Sequence, residues 1–260
     1  MTDQLIYTKE NGIARITLNR PDSFNSVTRE LALAFQEALK DADQDNTVKV
    51  VCITGKGRAF CAGQDLNEIL DEEKGFPIEK IVEEHFNPIV MLIHNLAKPV
   101  VAAVNGVAAG AGANLALLCD ITVATESAAF IQAFTKINLI PDSAGTYVLP
   151  RLVGFQKAIA LALLGDKVSA VEADNMGMIY KYYEDNLFQD EVEKILEKIC
   201  AMPTAGLKYT KKLYNLGLDN DLESQLELER KYQNKAGSTK DYMEAVRAFV
   251  EKRKPNFTGE

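Results

Sequence analysis

Residues 98–120, KPVVAAVNGVAAGAGANLALLCD, change character twice in one run. Lys98 to Val104 is an apolar strand candidate, ended by the turn pair Asn105-Gly106. From Gly106 to Asn114 come three glycines and four alanines in nine residues, leading into an apolar helical run. Side chains this small let one backbone approach another, or a ligand, closely. The N–H groups that open a helix have no acceptor within it, so they and the helix dipole face whatever lies in front of them. A second such segment is Phe60-Cys61-Ala62-Gly63-Gln64-Asp65. Two amides converging on one point would make an oxyanion hole. Tight helix–strand packing with no ligand is the competing reading from composition alone.

Working outward, alternation after the turn Asn11-Gly12 predicts a hairpin of residues 4–9 and 13–18, closed by Pro21. Thr28 is placed to cap a helix reaching about Asp43, with Leu31, Phe35, Ala38, Leu39 and Ala42 on one face. Val48 to Thr54 is a β-branched strand candidate. Asp65-Leu66-Asn67-Glu68 and Ser169-Ala170-Val171-Glu172 fit capping boxes. A longer helix is expected over about 78–96, and short strands at 121–125 and 129–131. In IPDSAGT (140–146), Ser143 is a candidate cap for the next helix. From about 184 only helices are expected: 185–200, 204–217, 221–236 and 240–253. Lys208-Tyr209-Thr210-Lys211-Lys212 reads as a solvated helix face, Lys252-Arg253-Lys254 as a set of charges suited to a helix end, and His94 as structural.

The 260 residues are 47% hydrophobic and 25% charged, ordinary globular proportions for a chain able to bury roughly 70–75% of its unfolded surface. A net charge of -8 argues against nucleic acid as a partner, since phosphate contacts need a basic face. No apolar run approaches the ~20 residues of a membrane helix, and the first residues lack the pattern of a signal peptide. Cys52, Cys61, Cys119 and Cys200 are too scattered for a framework and read as thiols in a reducing cytoplasm. Two histidines, His85 and His94, supply neither a His-rich metal site nor a Ser-His-Asp triad well, so no metal is expected.

LNRP (18–21), GRAFCAGQDL (57–66), the 98–120 stretch, LIPDSAGT (139–146) and FVEKRKPNF (249–257), in this order, resemble the enoyl-CoA hydratase/isomerase (crotonase) superfamily. The resemblance implies an α/β fold, a crotonase-like spiral of ββα units over residues 1–195. A C-terminal helical segment, 196–260, would then join subunits into a homotrimer or a dimer of trimers. It implies an acyl-CoA substrate, with coenzyme A as part of that substrate and no separate cofactor.

By that likeness the backbone N–H groups of Gln64 and Ala111 hold the thioester oxygen. Hydrating members carry two glutamates at positions matched here by Asn114 and Phe134, neither of which can move a proton. Asp142 instead matches an acidic residue that shuttles protons in family isomerases. An apolar wall of Leu139, Ile140 and Ala144 would raise its pKa and improve it as a base at neutral pH. Asn114 is a candidate for the substrate site, where it could orient substrate or water; the bland readings are a turn or cap role for Asp142, and a backbone-bonding role for Asn114. Ser23, Phe24, Lys56, Arg58, Ala62, Gly63, Asp65, Leu66 and Gly110 are candidates for the CoA path, with Lys56 and Arg58 offered to phosphate. Phe24, Ile69, Phe134 and Tyr147 are candidates for the acyl pocket. The implied reaction is isomerisation of a CoA thioester, of the ring-1,2-epoxide of phenylacetyl-CoA to its oxepin form or of a 3-enoyl-CoA to a 2-enoyl-CoA. Enoyl-CoA hydration, and acyl-CoA binding without catalysis, are the alternatives.

Overall fold

The computed structural model describes residues 2–70 and 77–259. The hairpin forms as β1 (Leu5–Glu10) and β2 (Ile13–Leu18). Helix α1 (Arg29–Gln44) follows, and Thr28 Oγ1 accepts its Leu31 N–H at 3.2 Å, as the cap reading expected. Three strand pairs come next, each sending one strand to a large sheet and one to a small sheet. They are β3 (Val50–Gly55) with β4 (Ala59–Cys61), β5 (Val100–Val104) with β6 (Val107–Ala109), and β7 (Ile121–Thr125) with β8 (Ala129–Ile131). Helices α2 (Leu66–Leu70), α3 (Ile78–Ile81) and α4 (Asn87–Asn95) lie between the first two pairs, and α5 (Ala111–Leu118) follows the second. Repetition of strand, strand, helix winds the chain into the spiral of ββα units.

The third pair leads to α6 (Gly145–Val153) and α7 (Phe155–Leu164). Then come β9 (Lys167–Ser169), α8 (Ala170–Asn175), β10 (Lys181–Tyr183) and α9 (Phe188–Cys200). The chain ends in α10 (Thr204–Gly217), α11 (Leu222–Gly237) and α12 (Lys240–Val250). The large sheet runs β1-β2-β3-β5-β7-β10 and the small one β4-β6-β8-β9. Beyond the β1–β2 hairpin, the large sheet is parallel, and apolar on both faces as parallel sheets are. Val51, Ile53, Val100, Ala102 and Val104 face the main core with α1 and α4. Val50, Cys52, Val101, Ala103 and Val123 pack on Phe188, Val192, Leu196 and Ile199 of α9. Among the described residues no helix is long and apolar enough to cross a membrane.

Several expectations need correction. The capping box at Asp65 forms by half. Asp65 Oδ1 accepts the Asn67 N–H at 3.0 Å, but the Asp65 N–H is spent on Val27 O, so the Glu68 carboxylate takes the Arg29 N–H instead. The helix expected over 78–96 forms without a break in helical backbone over 78–95, but carries one wide turn, Val82–Phe86, between α3 and α4. Pro88 has no N–H for the Glu84 carbonyl; Gln36 Nε2 supplies that bond at 2.8 Å. Ser143 does not cap α6, since Ala144 occupies the cap position with φ 63°. The box at Ser169 is complete.

Lys211 does not belong to a solvated face. Its side chain is buried on α10, ion-paired to Asp120 at 2.8 Å and bonded to the Ile93 carbonyl at 3.0 Å. Burial raises the Asp120 pKa above the ordinary value, against the pull of Lys211 and the Val100 N–H. The pair joins the C-terminal helices to the spiral. Lys211→Ala is expected to cost about 1–3 kcal/mol in urea unfolding, because Asp120 and the Ile93 and Lys98 carbonyls lose a charged donor. Replacing both by Met and Leu should recover part of that loss.

Candidate active site

The two small-residue segments meet. Strand β4 pairs in parallel with β6, and α5 starts directly beyond β6. Gly112, in the first turn of α5, lies against the β4 backbone: a Cβ there would sit 2.2 Å from Cys61 O. Gly63, at φ +85°, faces the same helix start, and a Cβ on it would come within 3.3 Å of Ala111 N. Positive φ and the close approach both favour glycine here.

Beyond Gly63 the chain pairs with Val27. The Val27 N–H donates to Gly63 O at 2.7 Å, and the Asp65 N–H donates to Val27 O at 2.9 Å. Because N–H directions alternate along an extended chain, this pairing turns the Gln64 N–H to the opposite side. Gly110 N donates to Ile131 O at 2.9 Å, and Ala111 is the first residue of α5. Neither the Gln64 nor the Ala111 N–H has an internal acceptor among the described residues.

Asp142 stands in the turn before α6. Its carboxyl is half-buried; burial raises its pKa, while the Ser143 hydroxyl, donating to Oδ1 at 2.9 Å, opposes the rise. A cavity of about 450 Å³ opens beside it, lined by Ile78, Val82, Leu139 and Ile140 with Glu79, Glu83 and Asn87. The residues from 78 to 87 went unnoticed in the sequence, where they read as one face of an ordinary helix. Asn114 serves the backbone: its Nδ2 donates to Asp142 O at 2.8 Å. Phe134 is buried, its ring 3.8 Å from where a Gly110 Cβ would be. The Tyr147 hydroxyl is directed at Asp219, and the Arg151 guanidinium stacks on its ring.

The candidates for the CoA path fall on the turn after β2, the loop before β4, the chain that leaves β4 and the start of α5. Ser23 and Phe24 close a turn after Leu18, and the Arg58 guanidinium lies 4.1 Å from the Phe24 ring centroid. The Ala62 N–H donates to Phe24 O at 3.0 Å. Phe24 and Leu66 are exposed apolar residues. Asp65 pairs with Arg20 at 2.7 Å; burial would raise its pKa, but Arg20, the Asn67 N–H and the Ser26 hydroxyl hold it below the ordinary value. Two asparagines organise these loops: Asn25, missed in the sequence, and Asn105, read there only as part of a turn. Asn25 Nδ2 donates to Lys56 O and Ala59 O, and Asn105 Nδ2 to Gly57 O. Their signal was available as asparagine at a turn, a residue type that bonds nearby backbone.

Other reactive groups are quiet. Burial pushes the Cys61 thiol up to about 11, so it is no nucleophile at neutral pH. Burial also lowers the His85 pKa. Among the described residues no group of three or more His, Cys, Asp and Glu could hold a metal ion. The chain thus holds two backbone N–H groups without an internal acceptor among the described residues, and one half-buried carboxyl whose pKa burial raises.

Residues 8–260 match the family model described as enoyl-CoA hydratase/isomerase. The chain is 44% identical over 262 residues to the 1,2-epoxyphenylacetyl-CoA isomerase of Escherichia coli, covering all of both chains. It is 42% identical over 253 residues to a Rhodobacter capsulatus protein named "Probable enoyl-CoA hydratase", covering 97% of each. The crystal structure of an enoyl-CoA hydratase from Bacillus anthracis superposes with a TM-score of 0.93 at 32% identity, over 99% of this chain and all of the other.

Gly112→Ala is expected to destabilise the fold by about 1–3 kcal/mol, the usual cost of overpacking, because its Cβ meets rigid backbone at Cys61. Urea unfolding measures the cost. The same displacement of α5 should reduce turnover more than stability alone explains, when assayed well below the melting temperature.

Proposed function

The chain belongs to the enoyl-CoA hydratase/isomerase family, and on that premise we propose that it isomerises acyl-CoA thioesters by moving one proton. The observation that carries this reading is the half-buried Asp142 carboxyl, its pKa raised by burial, beside a cavity that Ile78, Val82, Leu139 and Ile140 line together with Glu79, Glu83 and Asn87. Asp142 takes a proton from one carbon of the acyl chain. The electron pair left behind moves onto the thioester oxygen, which accepts hydrogen bonds from the Gln64 and Ala111 N–H groups. The protonated Asp142 then returns the proton to another carbon. No atom is gained or lost and no electrons leave the substrate, so the cycle calls for no cofactor beyond the substrate's own CoA. Each fixed backbone donor in such a site is worth ~3–4 kcal/mol to the transition state.

For the acyl group we favour the ring-1,2-epoxide of phenylacetyl-CoA, opening to its oxepin form, on the 44% identity to the Escherichia coli isomerase. A 3-enoyl-CoA undergoing a double-bond shift is the sibling substrate. The hydratase reading draws on the name of the Rhodobacter relative. It would leave Asp142 alone to activate water, since Asn114 is engaged on backbone and Phe134 is apolar. We assign Ser23, Phe24, Ala62, Gly63, Asp65, Leu66 and Gly110 to the CoA path, with Lys56 and Arg58 for phosphate.

The assembly belongs to the same proposal: a homotrimer, or a dimer of trimers, joined through residues 196–260. Its support is the apolar surface left open on the last helices, where Tyr214, Leu222, Phe249 and Val250 are each at least 74% exposed. Light scattering should give three or six times the monomer mass; a monomer would refute the assignment.

Asp142→Asn is expected to lower kcat about 10²–10⁴-fold with 3-enoyl-CoA and with the epoxide, the span of general acid–base catalysis. Full turnover by this variant would refute the role of Asp142. In wild type the base works ionised, so activity should rise with pH through a pKa above the ordinary carboxylate range, where burial has placed it. Hydration of crotonyl-CoA, run beside the isomerisation assay, separates the two readings.

A further inference from the structure

A chain of two buried amides ends on the backbone of Asp142. Gln132, directly after β8, donates Nε2 to Asn114 Oδ1 at 2.8 Å. Asn114 in turn donates Nδ2 to the Asp142 carbonyl at 2.8 Å. The two residues are 4% and 1% exposed. Their orientations follow from chemistry. A carbonyl only accepts, so Asn114 must turn its NH₂ towards Asp142 and its oxygen towards Gln132, which must then present NH₂. This leaves Gln132 Oε1 buried with no hydrogen-bond partner among the described residues. An apolar side chain of that size would avoid the desolvation cost, so the amide is kept for its donor.

The link is also sterically closed. Gly145 lies on the Asn114 amide, and a Cβ at that glycine would stand 2.2 Å from Nδ2. The Gly145 N–H meets the same Asp142 carbonyl at 2.8 Å. Asn114 itself sits in the first turn of α5, three residues beyond Ala111, with its own N–H on Gly110 O at 3.2 Å. One helical turn therefore carries a proposed oxyanion donor at its start and the tether of the proposed base near its end.

We infer that Gln132 and Asn114 are positioning residues that fix the Asp142 turn to the first turn of α5. They hold the carboxyl in register with the amides that receive the thioester oxygen. Gln132 acts only through Asn114: it pins the amide that would otherwise be free to turn. The effect on turnover rests on the isomerase reading; the tether itself does not. A base that loses its tether still shares a site with bound substrate, but meets the reacting carbon at the wrong distance.

Gln132→Leu in the full-length protein tests this, with Gln132→Met as a second variant of nearly the same length should the first fail to fold. Positioning predicts a kcat lowered about 10- to 100-fold, the scale of small misplacements, with KM changed less than about 2-fold. It also predicts faster hydrogen exchange at the Gly145 amide, while the amides of β3 and β5 keep their protection. Unchanged kcat in an active enzyme, or unchanged Gly145 exchange, overturns the inference. Equal acceleration of exchange throughout the chain overturns it too, because that marks general destabilisation. A wild type that turns over no acyl-CoA sinks the isomerase reading by itself, and Gly145 exchange then decides the tether.

Discussion

The approach of α5 to the backbone of β4 is the constraint on which the site depends. At Gly112 and Gly63 no side chain separates the two elements. That absence lets the N–H of Ala111 come up beside the Gly63-Gln64 peptide. Pairing of Gly63 and Asp65 with Val27 then turns the Gln64 N–H away from the sheet. Backbone donors held this way cannot relax as side chains do. They keep their direction whether or not an oxyanion is present, which is the physical content of preorganisation.

Around that pair the chain distributes polar groups economically. Asn25 and Asn105 hold the loop leading to β4, so the position of Lys56 and Arg58 is set by side-chain amides that donate to the loop's carbonyls. Asn114 does similar work on the far side, for the turn that carries Asp142. Burial raises the pKa of the carboxyl, while the Ser143 hydroxyl and the residue's own backbone N–H lower it. No cation stands among the causes of its shift, so desolvation prevails. A carboxylate in that condition accepts a proton more readily than an exposed aspartate does.

Spiral and tail are held together by unlike means. Helix α9 covers one face of the large sheet with Phe188, Val192, Leu196 and Ile199, an ordinary apolar seal. Helix α10 contributes Lys211, which reaches back to Asp120 and the carbonyl of Ile93. Beyond it, α11 and α12 bury little within the chain, and their apolar residues face outward.

The local elements were legible in the sequence because short-range rules govern them. Alternation marked β1 and β2, a β-branched run marked β3, small residues marked the approach to α5, and Thr28 and Ser169 announced the helices they cap. The family resemblance added the spiral and named Gln64, Ala111 and Asp142 as candidates. Long-range partners were not legible. The carboxylate of Glu68 went to Arg29, the Asn114 amide to Asp142, and Lys211 to Asp120, each across many residues of chain. The wide turn before Asn87 depends on Gln36 from another helix. A one-dimensional pattern states which groups a residue brings and the period at which it recurs. Which donor meets which acceptor is settled only when burial removes water as the competing partner, and burial is a property of the folded chain.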